Sequence, residues 1–181
     1  MRKSLYYVAL ACLAALGCSS NKQVVDPIPV HETFQLNSAA LQEMRTINVW
    51  VPESYSNSHD SFPVMYMADG GIKEDFPHIA NTMAALIQSK KIPPFILVGI
   101  ENTQRRRDLT GPTTIASDKE VAPVVGGSAA FRKFLAVELI PQINQRFRTK
   151  NTTGILGESL SGLFVMETFF LQPELFDYYI A

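Results

Sequence analysis

Hydrophobic and polar positions along this chain switch between two periods. Residues 32–36 and 45–51 read as paired strands. In the second, Ile47, Val49 and Val51 fall on one face and Thr46, Asn48 and Trp50 on the other, the two-residue repeat of a pleated strand. Pro52 and the Ser/Asn-rich stretch 54–61 end it, and residues 63–67 form a compact apolar strand running directly into Asp69-Gly70-Gly71. The period then lengthens: Ile79, Met83, Leu86 and Ile87 recur at helical spacing until Pro93-Pro94 stops the helix. Residues 95–100 are continuously apolar, the pattern of a strand buried on both faces of a parallel sheet. Residues 101–127 make a long polar connection, of a length that in compact domains is functional or disordered. Phe131, Phe134, Leu135, Leu139 and Ile143 then mark another amphipathic helix, and residues 152–156 a buried strand. Strands alternating with helices predict an α/β fold: a mostly parallel sheet with helices on both faces and ligand chemistry at the carboxyl ends of its strands. The sequence contains no internal repeat and no low-complexity segment.

The last of these strands leads into Gly157-Glu158-Ser159-Leu160-Ser161-Gly162, followed by an apolar stretch in which Leu163, Met166, Phe169 and Phe170 recur at helical spacing. Strand, G-x-S turn closed by a glycine, and helix is the order of the nucleophile elbow in an α/β-hydrolase, where the serine hydroxyl stands exposed on a sharp turn. Gly157 and Gly162 suit such a turn because it brings backbones too close for a Cβ. The bland alternative is a glycine-rich turn with a bystander serine. In this class the acid and then the histidine follow the serine. The 22 residues after Ser159 contain Glu167, Glu174 and Asp177 but no histidine.

Composition adds an address. Arg2 and Lys3 precede an almost wholly apolar run over residues 5–16, too short to span a bilayer, which reads as a secretory leader over residues 1–17. Cys18 after Gly17 resembles the acylated cysteine of bacterial lipoproteins, although Ala15 stands where such boxes have leucine. The expectation is an exported chain in a bacterial cell envelope, held at the membrane surface through lipidated Cys18, with residues 18–29 as tether and residues 30–181 as the folded part. Without residues 1–17 the charge is (16 − 2) − 17 = −3, which offers no footprint for nucleic acid. No cluster has metal-ligand spacing, and no cofactor is expected.

The remaining candidates each carry two readings. Arg105-Arg106-Arg107 suits an anionic acyl or catecholate ligand, since guanidinium groups match carboxylate and phenolate oxygens; the alternative is a loop braced by an Arg107–Asp108 ion pair. Arg105, Arg107 and Glu158 are the candidate substrate contacts. His78 is a substitute base or a plain helix-start histidine, His59 is solvated, and His31 carries no signal. Asp69 reads as a turn-forming residue rather than a catalytic one.

With these residues in place the chain resembles the esterase family that includes esterase D, S-formylglutathione hydrolase and the siderophore trilactone esterases. The likeness runs in order through Asn48-Val49-Trp50-Val51-Pro52, Val64-Met65-Tyr66-Met67-Ala68-Asp69-Gly70, Val98-Gly99-Ile100, Arg107-Asp108-Leu109-Thr110, residues 134–148 and the elbow. It implies a carboxylic-ester hydrolase acting on a small-molecule ester, with Ser159 attacking the carbonyl and the oxyanion held by the amides of Leu160 and Gly71. The family's acid and histidine lie beyond the elbow, whereas this sequence stops at Tyr178-Tyr179-Ile180-Ala181. The expectation is therefore an α/β-hydrolase domain incomplete at its C-terminus and nearly inert by itself. The alternative is a lipid-anchored binding protein that has kept the pocket and lost catalysis.

Overall fold

The computed structural model describes residues 26–181. The leader, Cys18 and the first part of the expected tether lie outside the described residues. Six strands form one sheet in the order β1-β2-β4-β3-β5-β6. The antiparallel edge consists of β1 (Glu32–Ser38) and β2 (Glu43–Trp50), with β2 antiparallel to β4 (Ile96–Ile100). From β4 onward the sheet is parallel: β3 (Phe62–Met67) lies between β4 and β5 (Thr149–Leu156), and β6 (Tyr178–Ile180) pairs with β5. Every residue of β4 is buried, as its unbroken apolar run requires.

The short helix α1 (Glu53–Asn57) follows β2, and α2 (Phe76–Gln88) carries the chain from β3 to β4. Packed on one face of the sheet, α2 brings Phe76 and Ala80 against Trp50, Met67 and Leu97. Trp50 and Asn48 are therefore buried like Ile47 and Val49, and the β2 alternation separates two cores rather than a core from solvent. The larger core fills the other face, where Phe131, Phe134, Leu135, Leu139 and Ile143 meet Ile47, Val64, Tyr66 and Val98. Full burial of side chains such as Phe134 and Phe164 contributes about 1.5–3 kcal/mol each.

The expected helix around residues 131–143 is two helices, α5 (Ser128–Phe134) and α6 (Ile140–Arg146), joined by a π-helical turn over Leu135–Leu139. Pro141 has no N–H to donate back into the preceding turn, and next to it the Ile140 amide reaches the carbonyl of Leu135, five residues back. The connection 101–127 is not structureless. It contains α3 (Arg105–Leu109) and α4 (Ala116–Val121), whose short charged sequences give no apolar period long enough to read. The helix after the elbow, α7 (Leu160–Leu171), begins at Leu160, earlier than its apolar stripe suggests. The end of the expected tether is fastened to α2: Asn81 Nδ2 donates to the carbonyl of Pro27 at 2.7 Å, and His78 Nδ1 lies 2.9 Å from Asp26 Oδ2. Among the described residues no helix is long and apolar enough to cross a membrane.

Candidate active site

Met67 of β3 and Leu156 of β5 are register partners, so the loops leaving these strands emerge side by side. They do so where the strand order reverses, because the chain passes from β3 to β4 on one side and from β5 to β6 on the other. The crevice at such a switch point is where open α/β sheets bind ligands. Both loops carry a non-glycine residue at positive φ: Asp69 at 56° and Ser159 at 57°.

Ser159 is exposed between β5 and α7, with ψ −118°. Holding a non-glycine residue there costs on the order of 1–3 kcal/mol, which the surroundings must offset. They do so through backbone proximity. The Gly157 amide donates to the carbonyl of Ile180 at 3.0 Å, and a Cβ on Gly157 would lie 2.5 Å from the carbonyl carbon of Ser161. A Cβ on Gly162 would meet the Gly157 carbonyl oxygen at 3.1 Å. The glycine closing the turn stands one residue later than G-x-S-x-G has it, because Ser161 occupies the fifth position. Its buried hydroxyl accepts from the Glu158 amide at 2.9 Å and donates to the Glu158 carbonyl at 2.8 Å, stapling the elbow from within. Leu160, half-buried, opens α7, so its amide has no acceptor inside the helix.

The loop after β3 is held by side chains. A Cβ on Gly70 would lie 2.2 Å from the Ile100 nitrogen, so glycine alone fits, and the Gly70 amide donates to the Ile100 carbonyl at 2.9 Å. The Gly70 carbonyl accepts from Asn48 Nδ2 at 2.8 Å. Asn102 Nδ2 donates to Asp69 Oδ1 at 2.6 Å and to Glu74 Oε1 at 2.9 Å, and Arg105 Nη2 donates to Asp69 Oδ2 at 2.8 Å. Burial pushes the Asp69 carboxyl upward, but hydrogen bonds from Arg105 and Asn102 and the Arg105 charge outweigh it. The carboxyl is held below the ordinary range. The Gly71 amide donates to Glu74 Oε2 at 2.7 Å, so in this conformation it is occupied rather than free to receive an oxyanion.

The arginines divide. Arg107 is spent on structure, its Nε on Asp108 Oδ1 at 2.7 Å and its Nη2 on Glu43 Oε1 at 2.7 Å. Asp108 also pairs with Arg45, both side chains 1% exposed, which locks the base of the long connection to β2. Arg105 is engaged by Asp69 and supports the loop. The Arg107–Asp108 pair is the brace that the second reading expects, and Arg105 and Arg107 are engaged by carboxylates of the chain itself. Arg106 borders a cavity of about 560 Å³ between the long connection and the start of α7, where Leu160, Leu163, Pro112 and Val125 supply apolar walls. Glu158 is exposed at the elbow.

None of the three histidines hydrogen-bonds Ser159 among the described residues. His78 is 64% exposed and paired with Asp26, His31 Nδ1 meets the Pro29 carbonyl at 2.7 Å, and His59 is exposed. Sequence reasoning missed Asn48, Glu74, Asn102 and Ser161. Asn48 alone carried a signal, as an amide set among the apolar residues of β2. No group of three or more His, Cys, Asp or Glu among the described residues is placed to hold a metal ion.

A parallel-core sheet with a strained serine at its switch point defines the α/β-hydrolase class, and solved structures carry the same fold. The chain belongs to the esterase family described as "Putative esterase", which matches residues 38–181. It is 29% identical over 175 residues to the ferri-bacillibactin esterase BesA of Bacillus subtilis (strain 168), covering 85% of this chain and 58% of that protein. An IroE-like serine hydrolase from Shewanella oneidensis superposes with TM-score 0.75 at 33% identity, over 82% of this chain and 49% of that one. The siderophore hydrolase EstB from Aspergillus nidulans superposes with TM-score 0.71 at 25% identity, over 89% and 58%. The chain thus spans about half to three fifths of the length of these relatives.

Proposed function

We propose that this chain bears the nucleophile of a carboxylic-ester hydrolase working through an acyl-enzyme on Ser159. The observation that carries the reading is the strained backbone at Ser159, φ 57° and ψ −118°, at the first turn of α7 beside the Asp69 loop. Ser159 Oγ attacks the ester carbonyl and gives up its proton to a general base. The tetrahedral oxyanion collapses with departure of the alcohol, and water then releases the acid from the serine. Leu160 donates one amide to the oxyanion; Gly71 donates the second once Glu74 has turned away. One such donor is worth about 3 kcal/mol. The base is not supplied by residues 160–181, which contain no histidine.

Siderophore esters are the substrate class favoured by the names of BesA and EstB, and Arg106 beside an apolar cavity suits an anionic aromatic acyl group. The same reading holds the protein in the cell envelope through acylated Cys18; palmitate labelling lost in Cys18→Ala tests this.

A fluorophosphonate probe tests the nucleophile. Slow covalent labelling of the chain is expected, abolished by Ser159→Ala and retained in Ser161→Ala, with p-nitrophenyl acetate turnover near the buffer rate because general base catalysis supplies typically 10²- to 10⁴-fold. Absence of label at Ser159 together with measurable siderophore affinity would favour a binding protein. Enzyme-like turnover abolished by Ser159→Ala would place a base among residues 1–158.

A further inference from the structure

The path of the N-terminal segment fixes which way the site looks. Between the groove where Val30 lies beside Ala84 and Ile87 and the contact of Asp26 with His78, residues 26–30 climb α2 toward its N-terminus, passing Asn81 at Pro27. That end of α2 follows the Asp69-Gly70-Gly71 loop by a few residues and belongs to the end of the sheet bearing Ser159. The described chain therefore begins at the site end, at Asp26, while Trp50, Pro52 and α1 mark the opposite end.

We propose that the candidate site opens toward the lipid surface, so that ester substrates reach it from the layer of water against the bilayer. This rests on the anchoring of Cys18 proposed above. Only 26 − 18 = 8 Cα-to-Cα steps lead from Cys18 to Asp26, at most about 29 Å of fully extended chain. From the site end that leash reaches a bilayer directly. To set the opposite end on the membrane it must first run back along the 13 residues of α2, about 20 Å, leaving about 9 Å to clear α1 and enter the headgroups. The site end also presents exposed Ile72 and Lys73, an apolar side chain and a cation suited to the headgroup boundary.

The test uses acylated protein on phosphatidylethanolamine/phosphatidylglycerol vesicles containing a nitroxide headgroup lipid, with a fluorophore on Lys73→Cys or on Asn57→Cys at the opposite end. Trp50, the single tryptophan, serves as a built-in reporter near Asn57. The proposal expects quenching at position 73 at least twofold that at position 57, with Trp50 little affected. Releasing the segment with Asp26→Ala and Asn81→Ala should bring the two positions toward equality. Equal or reversed quenching with the acyl group confirmed by mass overturns the orientation and leaves the anchoring intact. An absent acyl group overturns the anchoring instead, and the orientation is then judged by the same ratio after coupling a lipid maleimide to Cys18.

Discussion

The two loops that meet at the switch point solve one problem by different means. Each places a non-glycine residue at positive φ, Asp69 in one and Ser159 in the other. Ser159 is held by backbone proximity and by one buried hydroxyl, that of Ser161, with no charge involved. Asp69 and the residues after it are held by Asn48, Glu74, Asn102 and Arg105, brought in from three separate stretches of chain. The presenting loop is thus set by sterics, whereas the receiving loop adds electrostatics to the steric demand at Gly70, so only the second should fail in acid.

The largest effects should come from adding a methyl group where only hydrogen fits. Gly70→Ala drives a Cβ to 2.2 Å from the Ile100 nitrogen and Gly157→Ala to 2.5 Å from the Ser161 carbonyl carbon. Neither backbone neighbour can yield cheaply, so a loss of about 3 kcal/mol or more is expected for each from urea unfolding midpoints. Asn48→Ala should cost less, about 2 kcal/mol, by leaving the Gly70 carbonyl without its donor in a buried setting. It should loosen only the loop after β3, visible as faster hydrogen exchange there and unchanged exchange at Ser161. Smaller still, Ser159→Gly should be more stable than Ser159→Ala by about 1 kcal/mol, because glycine relieves the positive φ and alanine does not. Equal stability of that pair would mean the elbow carries no strain.

Acid should separate the loops most cleanly. Because the Asp69 carboxyl is held below its ordinary value, its contribution to stability is present above about pH 4 and is lost as pH falls through its folded pKa. Unfolding midpoints between pH 6 and 2 should show this acid limb in the native chain and a shallower one in Asp69→Asn. Ser159→Ala, which touches none of the groups that hold the Asp69 carboxyl down, should leave the limb as it is.

The steric loop was the legible one. Glycine spacing, an apolar strand before it and a helical stripe after it are local signals, and together they placed Ser159 on its turn. The electrostatic loop was opaque because most of its parts are distant in sequence: nothing near Asp69 says that Asn102 and Arg105 will bond its carboxylate, or that Asn48 will donate to the Gly70 carbonyl. The Arg107–Asp108 brace was legible because the two residues are adjacent, whereas the pairing of Arg105 with Asp69 and of Arg107 with Glu43 spans 36 and 64 residues and left the ligand reading open. In β2 the alternation of apolar and polar residues was plain, but only α2 shows that the second face is covered as well. Short helices such as α3 and α4 escaped because five or six residues hold less than two helical turns of pattern.

The strand order also sets a timetable. β3 gains β4 within one short crossover, but its other neighbour, β5, begins 149 − 67 = 82 residues after β3 ends. At ribosomal rates of 5–20 residues per second that edge stays unpaired for roughly 4–16 s. Val64 and Tyr66, which finish in the core, belong to it throughout. The crevice between the two loops therefore cannot form before β5 has been made, and the half-made sheet before it presents a bare apolar edge of the kind that chaperones shield and aggregation exploits.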